Sequence, residues 1–112
     1  MNEAVAYLRN ASPLNALVWN EKLEQAATFH TNDIGPQGLV QHDSSDGTSF
    51  SDRTRRYGSG GSFAENISFG PTTGYDVVMG LFIDDGVASR GHRDNLFGAS
   101  WTQTANNSGT HQ

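Results

Sequence analysis

The sequence predicts a small α/β chain, and three observations carry that reading. Apolar residues recur at helical spacing in several segments. The sharpest is 76–85, where Val77, Leu81 and Asp84 share one stripe and Val78, Leu81, Phe82 and Asp85 an adjoining one. Alternation appears over 63–69, FAENISF, where Phe63, Glu65, Ile67 and Phe69 fall on one side and read as a short strand. Finally, 112 residues suffice for one domain, 1–112, and rule out separate cofactor and substrate modules.

The elements follow in order. Ala4, Val5 and Leu8 predict a helix over 3–9, broken at Asn10-Ala11-Ser12 before Pro13. Asn20 is the expected N-cap of a second helix over 21–34, with the stripe Leu23, Ala26, Ala27 and His30, ending before Gly35-Pro36. Residues 35–50 read as a polar loop holding His42. Phe50, Thr54 and Tyr57 can share a face of a short helix over 50–57, after which Gly58 to Gly61 break the chain. The helix over 76–85 is expected to stop at Gly86, its apolar face ending in carboxylates. Ser89 is the expected cap of a last helix over 90–97, with His92 at its third position. Residues 102–112 are polar and read as a weakly packed, cut-off loop.

Composition narrows the functions. The absence of cysteine excludes disulfides, thiolate catalysis and zinc–thiolate sites. Seven basic and twelve acidic residues give a net charge of -5. The one local basic cluster, Arg53, Arg55 and Arg56, has Asp52 beside it, so nucleic-acid binding is not expected. No apolar run approaches the roughly 18 residues of a membrane span. Met1-Asn2-Glu3 opens the chain with neither a basic nor an apolar leader region, so no signal peptide is read here.

Four histidines can carry chemistry. His92 follows a glycine in Arg90-Gly91-His92-Arg93, and His42 sits in a loop with no apolar partner at helical spacing. His30 completes an apolar stripe and reads as a half-buried histidine bonded to backbone. His111 reads as a disordered tail residue. Glu65 and Asp84 each share an otherwise apolar face, and a buried carboxylate needs a partner. Two carboxylates and two imidazoles in one cleft can hold a divalent cation or polarise water. They can equally form a polar network that orders loops, and spacing alone leaves both open.

Taken together, the motifs resemble a known family. Ala64-Glu65-Asn66-Ile67 is similar to the GENI motif of the CAP superfamily, the cysteine-rich secretory, antigen 5 and pathogenesis-related 1 domain. The run Ile83-Asp84-Asp85-Gly86 through Arg90-Gly91-His92-Arg93 to Asn95-Leu96-Phe97 resembles the cysteine-free microbial branch. Leu17-x-Trp19-x-x-x-Leu23-x-x-Ala26-Ala27 fits the family's opening. The resemblance implies a three-layer α-β-α sandwich around a small antiparallel sheet. It implies a central cleft with His42 and His92 as histidines, Glu65 as first acid and Asp84 as second, with Asp85 the close alternative. It also implies that such a domain continues past Gly109-Thr110-His111 into further strand, so this chain reads as stopping short. Family resemblance points to an extracellular or periplasmic location, and to a protein, a sterol or another lipid as ligand. A weakly held Zn²⁺ or other divalent cation on His42 and His92 is implied as well, without which the chain still folds.

No cysteine is present, and no serine stands with a histidine and a carboxylate in a recognisable motif. The reading is therefore a non-enzymatic binding domain. Two alternatives stay open: a metal-assisted hydrolase using Glu65 and His92, and a structural adhesion or matrix module that does not use the cleft.

Overall fold

Among the described residues, five helices and two short strands follow one another as α1 (Asn2–Asn10), β1 (Val18–Trp19), α2 (Glu21–Gln37), α3 (Phe50–Tyr57), α4 (Gly74–Ile83), α5 (Gly91–Leu96) and β2 (Gln103–Thr104). The computed structural model describes residues 2–58 and 61–112. Contacts divide the chain into two compact units: Met1–Ala16 with Asn66–Ser100, and Leu17–Glu65 with Trp101–Gln112.

The first unit holds α1, α4 and α5. Its centre is an aromatic cluster in which Tyr7 meets Phe82 at 6.0 Å and Phe97 at 5.3 Å, both edge-on. The Arg93 guanidinium lies 4.9 Å from both the Tyr7 and Phe82 ring centroids. Arg93 is 1 % exposed and donates to the carbonyls of Phe82 and Ile83 and to both oxygens of Glu3. Its guanidinium holds the Glu3 carboxyl below its ordinary value.

The ends of α4 and α5 differ from the expectation. Helix α4 is capped by Thr73, whose hydroxyl accepts from Asp76 N at 3.1 Å. It stops at Ile83, before Gly86, because Asp84 turns left-handed with φ 54°. Asp84 and Asp85 therefore lie past the helix and do not extend its stripe. Arg90, not Ser89, precedes α5, again left-handed at φ 54° and with no side-chain cap bond. His92 is thus the second helical residue, not the third.

The second unit is built on α2 and α3. Asn20 caps α2 as expected, its side chain accepting from Lys22 N and Leu23 N. Helix α2 runs through Gly35-Pro36 to Gln37 and stops at Gly38, left-handed at φ 66°. There Leu39 N donates to Ile34 O and Gly38 N to Gly35 O, both at 3.1 Å, a glycine-terminated helix end. The expected stop failed because Gly35 serves close packing: a Cβ there would collide with Thr110 O. Helix α3 is capped by Ser49, and Arg53 and Thr54 are buried from it. Of the expected break after α3, Ser59 and Gly60 lie outside the described residues.

The strand and tail readings are corrected. Residues 63–69 form no strand, and the sheet is the parallel pair Val18↔Gln103 and Trp19↔Thr104, not an antiparallel one, among the described residues. Alternation in 63–69 supplies no partner strand. Its Glu65 and Asn66 are instead anchored by their side chains. Residues 102–112 are placed by backbone groups: besides β2, Gln112 N donates to Gly35 O at 2.9 Å. His111 Nε2 donates to Leu39 O at 2.8 Å, so it is not a loose tail residue. Side-chain polarity concealed this because the pairing is by main chain.

Candidate functional site

Each unit contains one histidine–carboxylate pair. In the second unit His42, in the α2–α3 connection, donates from Nδ1 to Glu65 Oε1 at 3.0 Å. A carboxylate only accepts, so that contact puts the imidazole proton on Nδ1. The His42 side chain is 53 % exposed and that of Glu65 15 %. Behind them lies Arg53, 1 % exposed. Its Nη2 donates to Glu65 Oε1 at 2.9 Å and Oε2 at 2.7 Å, and to His42 O at 3.2 Å. Its Nη1 donates to Ala26 O at 3.2 Å, tying the cluster to α2.

In the first unit Asp84 is 3 % exposed. Its Oδ1 accepts from His92 Nδ1 at 2.8 Å and its Oδ2 from His92 N at 3.0 Å. Asp84 thereby does two jobs: it satisfies an open N–H in the first turn of α5 and orients the His92 ring. Burial pushes the Asp84 carboxyl up, but the His92 hydrogen bonds and charge outweigh it and hold it below the usual carboxylate range. Asp85, the alternative acid, is exposed. Asn66 Nδ2 donates to His92 O at 3.1 Å, and Asn95 Nδ2 to Asn66 Oδ1 at 2.9 Å, which holds the start of α5 from a second side.

The other histidines take structural roles. His30 is buried and donates Nε2–H to Gln41 O at 2.9 Å, as its place on the stripe predicts. A surface groove of about 330 Å³ over α2 and α3, lined by Glu24, Gln25, Thr28, Phe29, Asn32 and Tyr57, includes no histidine. Among the described residues, no three His, Asp or Glu side chains are grouped to hold a metal ion. No described helix is long and apolar enough to cross a membrane.

Sequence reasoning missed Arg53, Arg93, Asn66 and Asn95. Arg53 had been weighed only as part of a basic patch. Its signal was spacing: it lies three residues after Phe50 and four before Tyr57, on the apolar side of α3.

The family model for the cysteine-rich secretory protein family, CAP, matches residues 3–107. This chain belongs to the CAP family, whose domains are α/β sandwiches. It carries no cysteine. No curated protein and no solved structure matches it.

Proposed function

We propose that this CAP domain is a non-enzymatic, extracellular binding domain that takes a ligand or partner through its histidine–carboxylate pairs, His42 with Glu65 and His92 with Asp84. The observation that supports this is the state of the two imidazoles. Each donates Nδ1–H to a carboxylate that other groups already hold. Neither Nε2 has a hydrogen-bond partner among the described residues, and both side chains reach solvent, at 53 % and 32 % exposure. A neutral ring of this kind presents a lone pair outward. Among the described residues neither Nε2 is hydrogen-bonded to a serine or threonine hydroxyl, the arrangement a nucleophilic relay requires. Ligand classes consistent with family membership are a protein, a sterol or another lipid.

The donor set suits a transient cation better than a resident one. Imidazole Nε2 with a carboxylate on Nδ1 is the usual arrangement of a metal-ligating histidine. Lasting zinc sites use three or four protein donors, so either imidazole, His42 or His92, would hold Zn²⁺ weakly and without folding dependence. When bound, the ion would supply a Lewis-acid centre; the carboxylates would keep the rings aligned.

The test is turnover. Peptide libraries incubated with and without Zn²⁺ or Mg²⁺ should show no cleavage. Cleavage abolished by chelation and by His92→Ala would establish the hydrolase instead. If His42→Ala with His92→Ala leaves partner binding intact, the adhesion reading replaces this one.

A further inference from the structure

We infer that Arg53 is a positioning residue that fixes which nitrogen His42 offers, and so restricts the ligand group met there to a hydrogen-bond donor or a cation. The inference deepens the binding role proposed for His42 and rests on it for its functional meaning. Its structural content stands on the second unit alone.

Three facts carry it. First, Arg53 is buried, and its Nη2 reaches both Glu65 oxygens and the His42 carbonyl. One guanidinium nitrogen therefore fixes the carboxylate and the backbone of the histidine it faces. Second, guanidinium groups only donate, so Arg53 compels the atoms facing it to be acceptors. Glu65 Oε1 is then an acceptor towards His42 Nδ1 as well, and the neutral ring keeps its proton on Nδ1. Third, Arg53 cannot drift. Nη1 is bonded to Ala26 O, and the guanidinium carbon lies 5.5 Å from the Phe50 ring centroid. An Nε2 lone pair can accept from a hydroxyl, an amide N–H or an ammonium, or ligate a cation; it has no proton for an anion. Arg53 would thus set specificity without touching the ligand.

The experiment needs no ligand. Long-range proton–nitrogen correlation spectra of the whole chain, taken at about pH 8.5, above the ordinary histidine range near 6.5, report which ring nitrogen carries the proton. In the wild type His42 should be protonated on Nδ1. In Glu65→Gln, Arg53 should take the amide oxygen and turn the amide N–H groups toward His42, so the proton moves from Nδ1 to Nε2. In Arg53→Met the Nδ1 preference should be lost, and Arg53→Lys should restore part of it. His92, in the same spectra, should stay unchanged and reports that the chain remains folded. A wild-type His42 protonated on Nε2 overturns the inference, and so does a Glu65→Gln protein whose His42 keeps Nδ1–H. Should Arg53→Met fail to fold, the Glu65→Gln result decides alone. A failure here leaves turnover and partner-binding results untouched, so it is distinguishable from failure of the binding role.

Discussion

The Asp84–His92 pair and the Glu65–His42 pair present the same imidazole nitrogen by opposite means. Asp84 and His92 are eight residues apart and are joined by a turn bracketed by two left-handed residues, Asp84 and Arg90. The carboxylate is an element of secondary structure there, because it caps the helix that carries its histidine. Glu65 and His42 are 23 residues apart, in segments with no helix or strand. A buried arginine from α3 does the work that the local turn does in the first unit. Glu65 therefore shares its charge with a permanent cation. No guanidinium bonds the Asp84 carboxylate among the described hydrogen bonds; those of Arg90 and Arg93 bind backbone carbonyls around it. With both rings neutral, the first pair keeps a negative charge and the second is balanced.

The largest effect that can break this comparison comes from Arg53→Met. It removes the guanidinium from Glu65 and the hydrogen bonds that Arg53 gives to the Ala26 and His42 carbonyls. The loss should be about 3–5 kcal/mol, the range for breaking a buried ion pair, read as a lower urea midpoint. A cost below about 1 kcal/mol, typical of exposed pairs, would show that the cluster is not the anchor of the second unit.

Asp84→Ala comes next. It removes a helix-capping acceptor and the ring's anchor and places an alanine at φ 54°. The expected loss is about 2–4 kcal/mol by chemical denaturation. Asp84→Asn keeps tolerance of the left-handed backbone and should cost clearly less. Equal losses for the two variants would mean that charge, not backbone, dominates the turn.

Acid should weaken both units. The Asp84 and Asp33 carboxyls lie below their ordinary 3.8, Asp84 through His92 and Asp33 through Ser45 Oγ and N. A depressed folded value means that the ionised form is favoured by folding. That stabilisation is complete above the unfolded value and fades as pH falls from about 5 through 3.8 towards the lower folded values. Thermal unfolding between pH 6 and 3 should show Tm falling over that window, with a smaller fall in Asp84→Asn.

The smallest effect compares two helix ends. Helix α2 ends on left-handed Gly38, where α4 ends on left-handed Asp84. Gly38→Ala should cost about 1–2 kcal/mol for the left-handed alanine, since its Cβ would also approach Gln112 O at 3.0 Å. No loss of Tm would contradict the assigned helix end.

These residues also show what was legible in advance. The motif resemblance named the two histidines and the two acids, but the apolar faces on which Glu65 and Asp84 were expected do not form: 63–69 is no strand and Asp84 lies past the end of α4. The caps at Asn20 and the extents of α1 and α3 were readable from local chemistry. What was missed is non-local. Arg53 and Arg93 read as surface charge, yet both are 1 % exposed: Arg93 donates to carbonyls that the end of α4 leaves open, and Arg53 to Glu65 and to the Ala26 and His42 carbonyls. The polar run 102–112 was misread since it pairs through its backbone. Gly35 and Gly109 marked that contact: a Cβ on Gly109 would come within 2.7 Å of Thr31 Cγ2. The helix stop at Ile83 depends on Asp84 adopting a left-handed turn that its bonds to His92 stabilise, which no hydropathy stripe records.

Titration calorimetry with Zn²⁺ on the wild type and on His92→Ala, at neutral and mildly acidic pH, tests most directly whether an oriented imidazole binds a cation. The wild type should show weak binding that diminishes in acid, because a protonated imidazole cannot ligate, and His92→Ala should lose most of the heat. Equal heats from the two proteins at neutral pH would contradict the account, removing His92 from any cation site.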